Sequence, residues 1–170
     1  VAGIGIMPEV SLAEASGLKC DNGIHVDDHA RTDEPSIVAA GDCTNHPNPF
    51  AGRRIRLESV HNAIEQAKTA ALSLLEKSQP YAQVPWFWSD QYDLKLQIAG
   101  LSGDHDQIIV RGNPKENRFS ACYLRAGRLA AVEAVNSPRD FMFGKKLIAA
   151  EVVVTPEQVA DSAVSLGDLL

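Results

Sequence analysis

Ser36-Ile37-Val38-Ala39-Ala40-Gly41-Asp42-Cys43 is an apolar run of small and β-branched residues that stops at a Gly-Asp pair. The pattern predicts a buried strand that carries an acid to the carboxyl edge of a sheet, where ligands sit in open parallel sheets. Arg31-Thr32-Asp33-Glu34-Pro35 precedes it as a polar turn whose proline sets where the strand begins. Asp42 is therefore the first ligand contact to consider. The alternative is an Asp that caps the following turn.

Upstream, residues 1–6 (Val1-Ala2-Gly3-Ile4-Gly5-Ile6) read as a second buried strand ended by Met7-Pro8. Its glycines either admit a ligand or another backbone, or simply make a tight turn. Because the chain opens inside this run, it reads as part of something longer. Glu9 to Ala15 predicts a short helix closed by Gly17. Leu18 to Asp28 alternates around the Asp21-Asn22-Gly23 turn signal. His25 and His29 lie on a strand and the loop after it, where a four-residue spacing does not suit a metal.

Downstream, Thr44 to Arg56 reads as a loop, followed by a helix that Ser59 caps. Val60, Ala63, Ile64, Ala67, Ala71, Leu74 and Leu75 recur at helical spacing and predict an apolar stripe against a sheet, with Glu65, Lys68 and Thr69 opposite. Residues 80–85 form a linker. Just beyond it lies Trp86-Phe87-Trp88-Ser89-Asp90-Gln91-Tyr92, and with Tyr81 this window holds five of the ten aromatic residues. Leu94–Ile98, Ile108–Arg111, Phe119–Arg125 and Leu129–Val135 read as strands, the last two joined at Ala126-Gly127. Ser137-Pro138 and Thr155-Pro156 each launch a helix. The predicted fold is an α/β piece (residues 1–82) followed by an α+β domain (residues 83–170) with helices on one side of an antiparallel sheet.

With 170 residues, 22% charged and a net charge of −6, the chain has ordinary globular composition and is not built for nonspecific nucleic-acid binding. No run is long and apolar enough for a membrane span. Cys20, Cys43 and Cys122 are scattered without a CxxC, which points to neither zinc nor a redox dithiol and suits a reducing cytoplasm.

Four stretches together carry a family resemblance: residues 3–8 (GIGIMP), 32–42 (TDEPSIVAAGD), 56–63 (RLESVHNA) and 85–92 (PWFWSDQY). They resemble the NADH-dependent, FAD-containing ferredoxin reductases that serve cytochrome P450 and ring-hydroxylating oxygenase systems. The resemblance implies a two-dinucleotide-binding, Rossmann-type architecture. Residues 1–82 would be the end of the NAD domain and the last segment of the FAD domain, and residues 83–170 the C-terminal reductase domain. Neither G-x-G-x-x-G phosphate turn of that family is present, so the FAD and NADH sites are incomplete in this chain, and the chain alone is expected to be inactive.

By the same resemblance, Gly41 and Asp42 would meet the FAD ribitol. The Val60 N–H, in the first turn of a helix, would stabilise negative charge on the reduced flavin by about 0.3–1 kcal/mol. Trp88 would lie near the flavin on the ferredoxin side. Gly3, Ile4, Gly5 and Glu58 would lie near the nicotinamide. Arg53, Arg54, Arg56 and Lys68 form a basic cluster that would dock an acidic [2Fe–2S] ferredoxin. No residue reads as a general acid, nucleophile or metal ligand, and the cofactor carries the chemistry. A homodimer is left open. Two alternatives stand beside this reading: another two-dinucleotide flavoprotein of the NADH oxidase type, and a cofactor-free interaction or dimerisation module. Disulfide reductases are disfavoured, because the only histidine after His61 is His105, followed by Asp106 rather than proline.

Overall fold

In the computed structural model, which describes residues 3, 5–77 and 79–170, the chain divides into two units, Val1–Gln83 and Val84–Leu170. The first unit begins with α1 (Ser11–Ala15), closed by the Gly17 N–H on the Glu14 carbonyl and the Leu18 N–H on that of Ala13. Then come β1 (Ile24–His25), β2 (Thr44–Asn48) and β3 (Arg53–Ile55), a three-stranded sheet in that order. β1 runs parallel to β2, and β3 runs antiparallel to it. α2 (Val60–Leu74) follows, with the Ser59 hydroxyl accepting from the Asn62 N–H at 3.1 Å.

Three expectations for this unit need correcting. First, residues 36–41 form no strand: Val38 makes a single antiparallel bridge to Arg31. The side chains of Thr32 and Glu34 capture the local backbone instead, with Thr32 Oγ1 donating to the Glu34 and Ile37 carbonyls. The strand lies after the Gly-Asp pair, in the polar stretch Thr44–Asn48 that reads as a loop. Second, Gly3, Gly5 and Ile6 are exposed and outside any strand, since no neighbouring strand offers them a ladder among the described residues. Ile4 lies outside the described residues. Third, the face of α2 that packs on this unit is Asn62, Gln66, Thr69, Ala70 and Ser73, whereas Val60, Ile64, Leu74 and Leu75 are exposed within this chain.

That third reversal has a clear cause. The interior against α2 is a hydrogen-bonded network, as buried polar groups require. Thr44 Oγ1 donates to Gln66 Oε1 at 2.7 Å, Tyr81 Oη to Asn62 Oδ1 at 2.9 Å, and Ser73 Oγ to the His29 carbonyl at 2.6 Å.

The second unit follows its sequence except over residues 86–91, which read as an aromatic cluster and form a strand. β4 (Trp86–Gln91), β5 (Leu94–Gly100), β6 (Gln107–Asn113), β7 (Arg118–Arg125) and β8 (Arg128–Val135) form an antiparallel sheet in the order β4-β5-β8-β7-β6. The turn between β7 and β8 is Ala126-Gly127, as predicted. α3 (Pro138–Ala150) and α4 (Pro156–Ala160) both open on proline, and Thr155 and Gln158 complete a capping box on α4. A Cβ on Gly144 would sit 2.6 Å from Val132 Cγ1, so glycine is what lets α3 lie directly on β8. Ser120, Cys122 and Leu124 alternate inward beneath the helices, with Val132, Leu147, Ile148 and Leu166 completing the core. The Arg111 guanidinium, buried, bonds Asp140 and the carbonyls of Val159, Asp161 and Val164, tying the last segment to the sheet.

Candidate functional site

The Gly-Asp pair sits in a turn that α2 holds from behind. Gly41 has φ +89°, a left-handed conformation that favours glycine, and its N–H donates to Gln66 Oε1 at 2.8 Å. A Cβ built on Gly41 would lie 3.6 Å from the Ala63 Cβ, so the turn is packed on the first turns of the helix. Thr44 closes it, its N–H donating to the Gly41 carbonyl at 3.0 Å and its hydroxyl shared between that carbonyl (2.9 Å) and Gln66 Oε1 (2.7 Å). Asp42 lies at the tip with its side chain exposed. Val60 is the first residue of α2, so its N–H has no carbonyl partner within the helix.

Arg56 draws this region together. Its side chain is only 10% exposed, and its Nη1 pairs with Glu58 Oε1 at 2.7 Å. Nη1 also donates to the Asp42 carbonyl at 3.2 Å, Nη2 to the Ile6 carbonyl at 3.2 Å, and Nε to Asn22 Oδ1 at 3.3 Å. Asp42, Glu58, the start of α2 and the end of the segment containing Gly3 and Gly5 are thus gathered around one guanidinium.

The basic cluster is heterogeneous. Arg54 is exposed as a residue, yet its Nη2 donates to the carbonyls of Val26 (2.7 Å) and Asn45, and partial burial lowers its pKa. Arg53 is exposed. Lys68, 63% exposed, pairs with Glu65 at 2.6 Å. In the second unit, Trp88 is 40% exposed. Its ring lies 5.3 Å from that of Trp86, which meets Phe141 at 5.6 Å and has Lys145 Nζ over it at 5.6 Å.

Sequence reasoning missed Gln66 and Asn22. A buried glutamine among helical polar residues and an asparagine in a turn carry no signal that distinguishes them from their neighbours. It also missed His46, buried with its ring edge-on to Tyr81 (5.3 Å, 81°) and its pKa lowered to about 4 by burial and by Arg54. The Thr44 backbone favours protonation weakly, and neither ring nitrogen makes a well-formed hydrogen bond.

The donor and acceptor set fits a flavin dinucleotide. An exposed acceptor-only carboxylate suits ribitol hydroxyls, and a helix N-terminal amide suits a ring carbonyl that gains negative charge. Among the described residues there is no cluster of metal-ligating side chains, and no helix is long and apolar enough to cross a membrane.

Comparison with known proteins gives the same direction. Residues 86–170 match the family model described as reductase C-terminal, and residues 1–67 match that of the pyridine nucleotide-disulphide oxidoreductases. Rhodocoxin reductase of Rhodococcus erythropolis is 47% identical over 162 residues, covering 95% of this chain and 38% of that protein. The ferredoxin–NAD(+) reductase component of an anthranilate 1,2-dioxygenase system from Burkholderia cepacia is 46% identical, over 100% of this chain and 42% of that protein. The solved structure of a covalent putidaredoxin reductase–putidaredoxin complex superposes with a TM-score of 0.93 at 42% identity, over 98% of this chain and 40% of that one. The chain thus spans about two fifths of the length of the relatives it matches.

Proposed function

The chain belongs to the reductase C-terminal family, and from that premise we propose that it is the C-terminal part of an FAD-dependent NADH:ferredoxin reductase. Such an enzyme passes electrons from NADH through FAD to a [2Fe–2S] ferredoxin of an oxygenase or cytochrome P450 system. FAD, when bound, supplies the acceptance of hydride and the release of single electrons. What this chain supplies is position and electrostatics. The observation that carries the reading is the packing of the Gly41-Asp42 turn on the first turns of α2. That packing sets a hydroxyl-binding carboxylate beside helix N-terminal donors.

Within this reading Asp42 accepts from the ribitol, and Gly41 lets the backbone come close. The Val60 amide and the dipole of α2 favour negative charge on the flavin ring. Glu58, 38% exposed, and the segment of Gly3 and Gly5 face the nicotinamide, and Trp88 covers the flavin toward the ferredoxin. Residues 1–82 complete the NAD and FAD domains, and residues 83–170 are the C-terminal domain. For ferredoxin docking, Lys68 and Arg53 present charge outward, whereas Arg54 and Arg56 are engaged within the unit.

The test is the absorption spectrum and turnover of the full-length protein carrying this chain. Flavin bands at roughly 380 and 450 nm, with NADH-dependent reduction of a [2Fe–2S] ferredoxin, are expected. A colourless protein would favour the interaction-module alternative.

A further inference from the structure

Arg56 reads in sequence as one charge of a docking cluster, but its surroundings give it another task. Four acceptors from four separate segments converge on its guanidinium: the Ile6 carbonyl, Asn22 Oδ1, the Asp42 carbonyl and Glu58 Oε1. Among the described residues the segment around Ile6 belongs to no strand or helix, and the Arg56 bonds tie it to the Asp42 turn. A planar fork of five N–H donors can span such acceptors; a lysine ammonium, a compact point charge, cannot reach them together. The side chain is only 10% exposed, and the ion pair with Glu58 at 2.7 Å is its short, charge-assisted contact; the other three lie at 3.2–3.3 Å and act by number and direction.

We propose that Arg56 is a positioning residue that holds Asp42 and Glu58 in one frame, so that the strengths of FAD and NADH binding are set together through it. It touches neither cofactor. Instead it fixes the backbone that aims the Asp42 carboxylate and holds one oxygen of Glu58, leaving the rest of that carboxylate oriented toward its ligand. The inference rests on the proposed function and adds the residue that couples its two binding groups.

The experiment uses the full-length, flavin-loaded enzyme. The apoprotein is reconstituted with FAD and followed by quenching of flavin fluorescence, and NADH KM and kcat are measured with ferricyanide as acceptor. Arg56→Lys is expected to raise both the FAD Kd and the NADH KM about tenfold with kcat nearly unchanged, the signature of lost binding rather than lost chemistry. Asn22→Gly removes one anchor of the guanidinium while suiting the φ of +47° at that position. It is expected to shift the same two constants in the same direction, about threefold. Arg111→Lys, which weakens a structural clasp in the second unit, is expected to lower Tm and move neither constant.

Constants within twofold of wild type in Arg56→Lys, with only Tm reduced, would overturn the positioning role. If Arg56→Lys does not fold, unchanged constants in Asn22→Gly overturn it equally. A wild-type enzyme without flavin would overturn both this inference and the proposed function. A flavin-bound, NADH-active wild type with unmoved variants overturns the inference alone.

Discussion

Lys68 holds its ammonium on a side chain 63% exposed, paired with Glu65 at 2.6 Å, while Arg54 and Arg56 direct their guanidinium groups at carbonyls inside their own unit. A surface ion pair of this kind contributes little to stability, so Lys68 is free to serve an encounter. Lys68→Glu in the full-length enzyme is expected to slow ferredoxin reduction about tenfold at low salt, less at high salt, while NADH-to-ferricyanide activity holds. Equal loss of both activities would end the docking role. His46 makes a different prediction. The fold lowers its pKa from 6.5 to about 4, so the unfolded chain binds the proton more readily. Its contribution is fully present above pH 6.5 and is lost progressively as pH falls toward 4, amounting to about 3 kcal/mol at most. His46→Phe keeps a ring against Tyr81 but cannot be protonated. Urea melts between pH 7 and pH 4.5 should therefore show a flatter stability profile in the variant, with His25 and the Glu9 and Glu157 carboxyls, whose pKa values the fold also lowers, contributing to the slope that remains. A profile as steep as wild type would reject His46 as its source. The cluster was legible in the sequence, but which of its cations bond inward and the burial of His46 were not, because an arginine bonded inward and one facing solvent are the same letter.

α2 was legible as a helix, but the face it turns toward the rest of this unit was not. The spacing of Val60, Ile64, Leu74 and Leu75 identifies residues that share a face, and they do share one; it is the exposed face. What turns the helix is Gln66 on Gly41 and Thr44, Asn62 on Tyr81, and Ser73 on the His29 carbonyl, none of which a hydrophobic period reports. Its N-terminus, by contrast, was fully legible, because Ser59 caps through the Asn62 N–H three residues away. Ser59→Ala is expected to destabilise the protein by about 1 kcal/mol, with Ser59→Asp restoring it. A thermal melt that ranks alanine equal to wild type would contradict the cap. The strand beside it failed for a related reason. Thr44–Asn48 is buried through polar side chains, Thr44 bonding to Gln66 of α2, Asn45 to the Asp21 carbonyl and Asn48 to the Phe50 and Ala51 N–H groups, whereas an apolar alternation is what predicts a strand.

The two units differ in what holds them together. In Val84–Leu170 the buried residues are largely apolar, among them Leu124, Leu129, Val132, Leu147, Ile148, Val159 and Leu166. In Val1–Gln83 the buried apolar set is Ala13, Val26, Ala30, Ala70 and Tyr81, beside Thr44, His46, Asn48, Asn62 and Gln66. Apolar burial drives folding far more than net hydrogen bonding does. Residues 84–170 produced alone are therefore expected to unfold in one cooperative thermal transition with a dispersed NMR spectrum, and residues 1–83 alone are not. A cooperative transition in the first unit by itself would refute that division. Sequence alone determined the helix starts at Ser59, Ser137 and Thr155, the Ala126-Gly127 hairpin, the strands of the second unit other than β4 and the motifs that carry the family. These depend on residues a few positions apart, whose caps, turn conformations and alternation are local chemistry. Tertiary structure decided where the strand near Gly41-Asp42 lies, which face of α2 is inside, and which of four cations stay available. These depend on partners remote along the chain, such as Gln66 for Gly41 and Ile6 for Arg56, and only the folded backbone brings those within hydrogen-bonding reach.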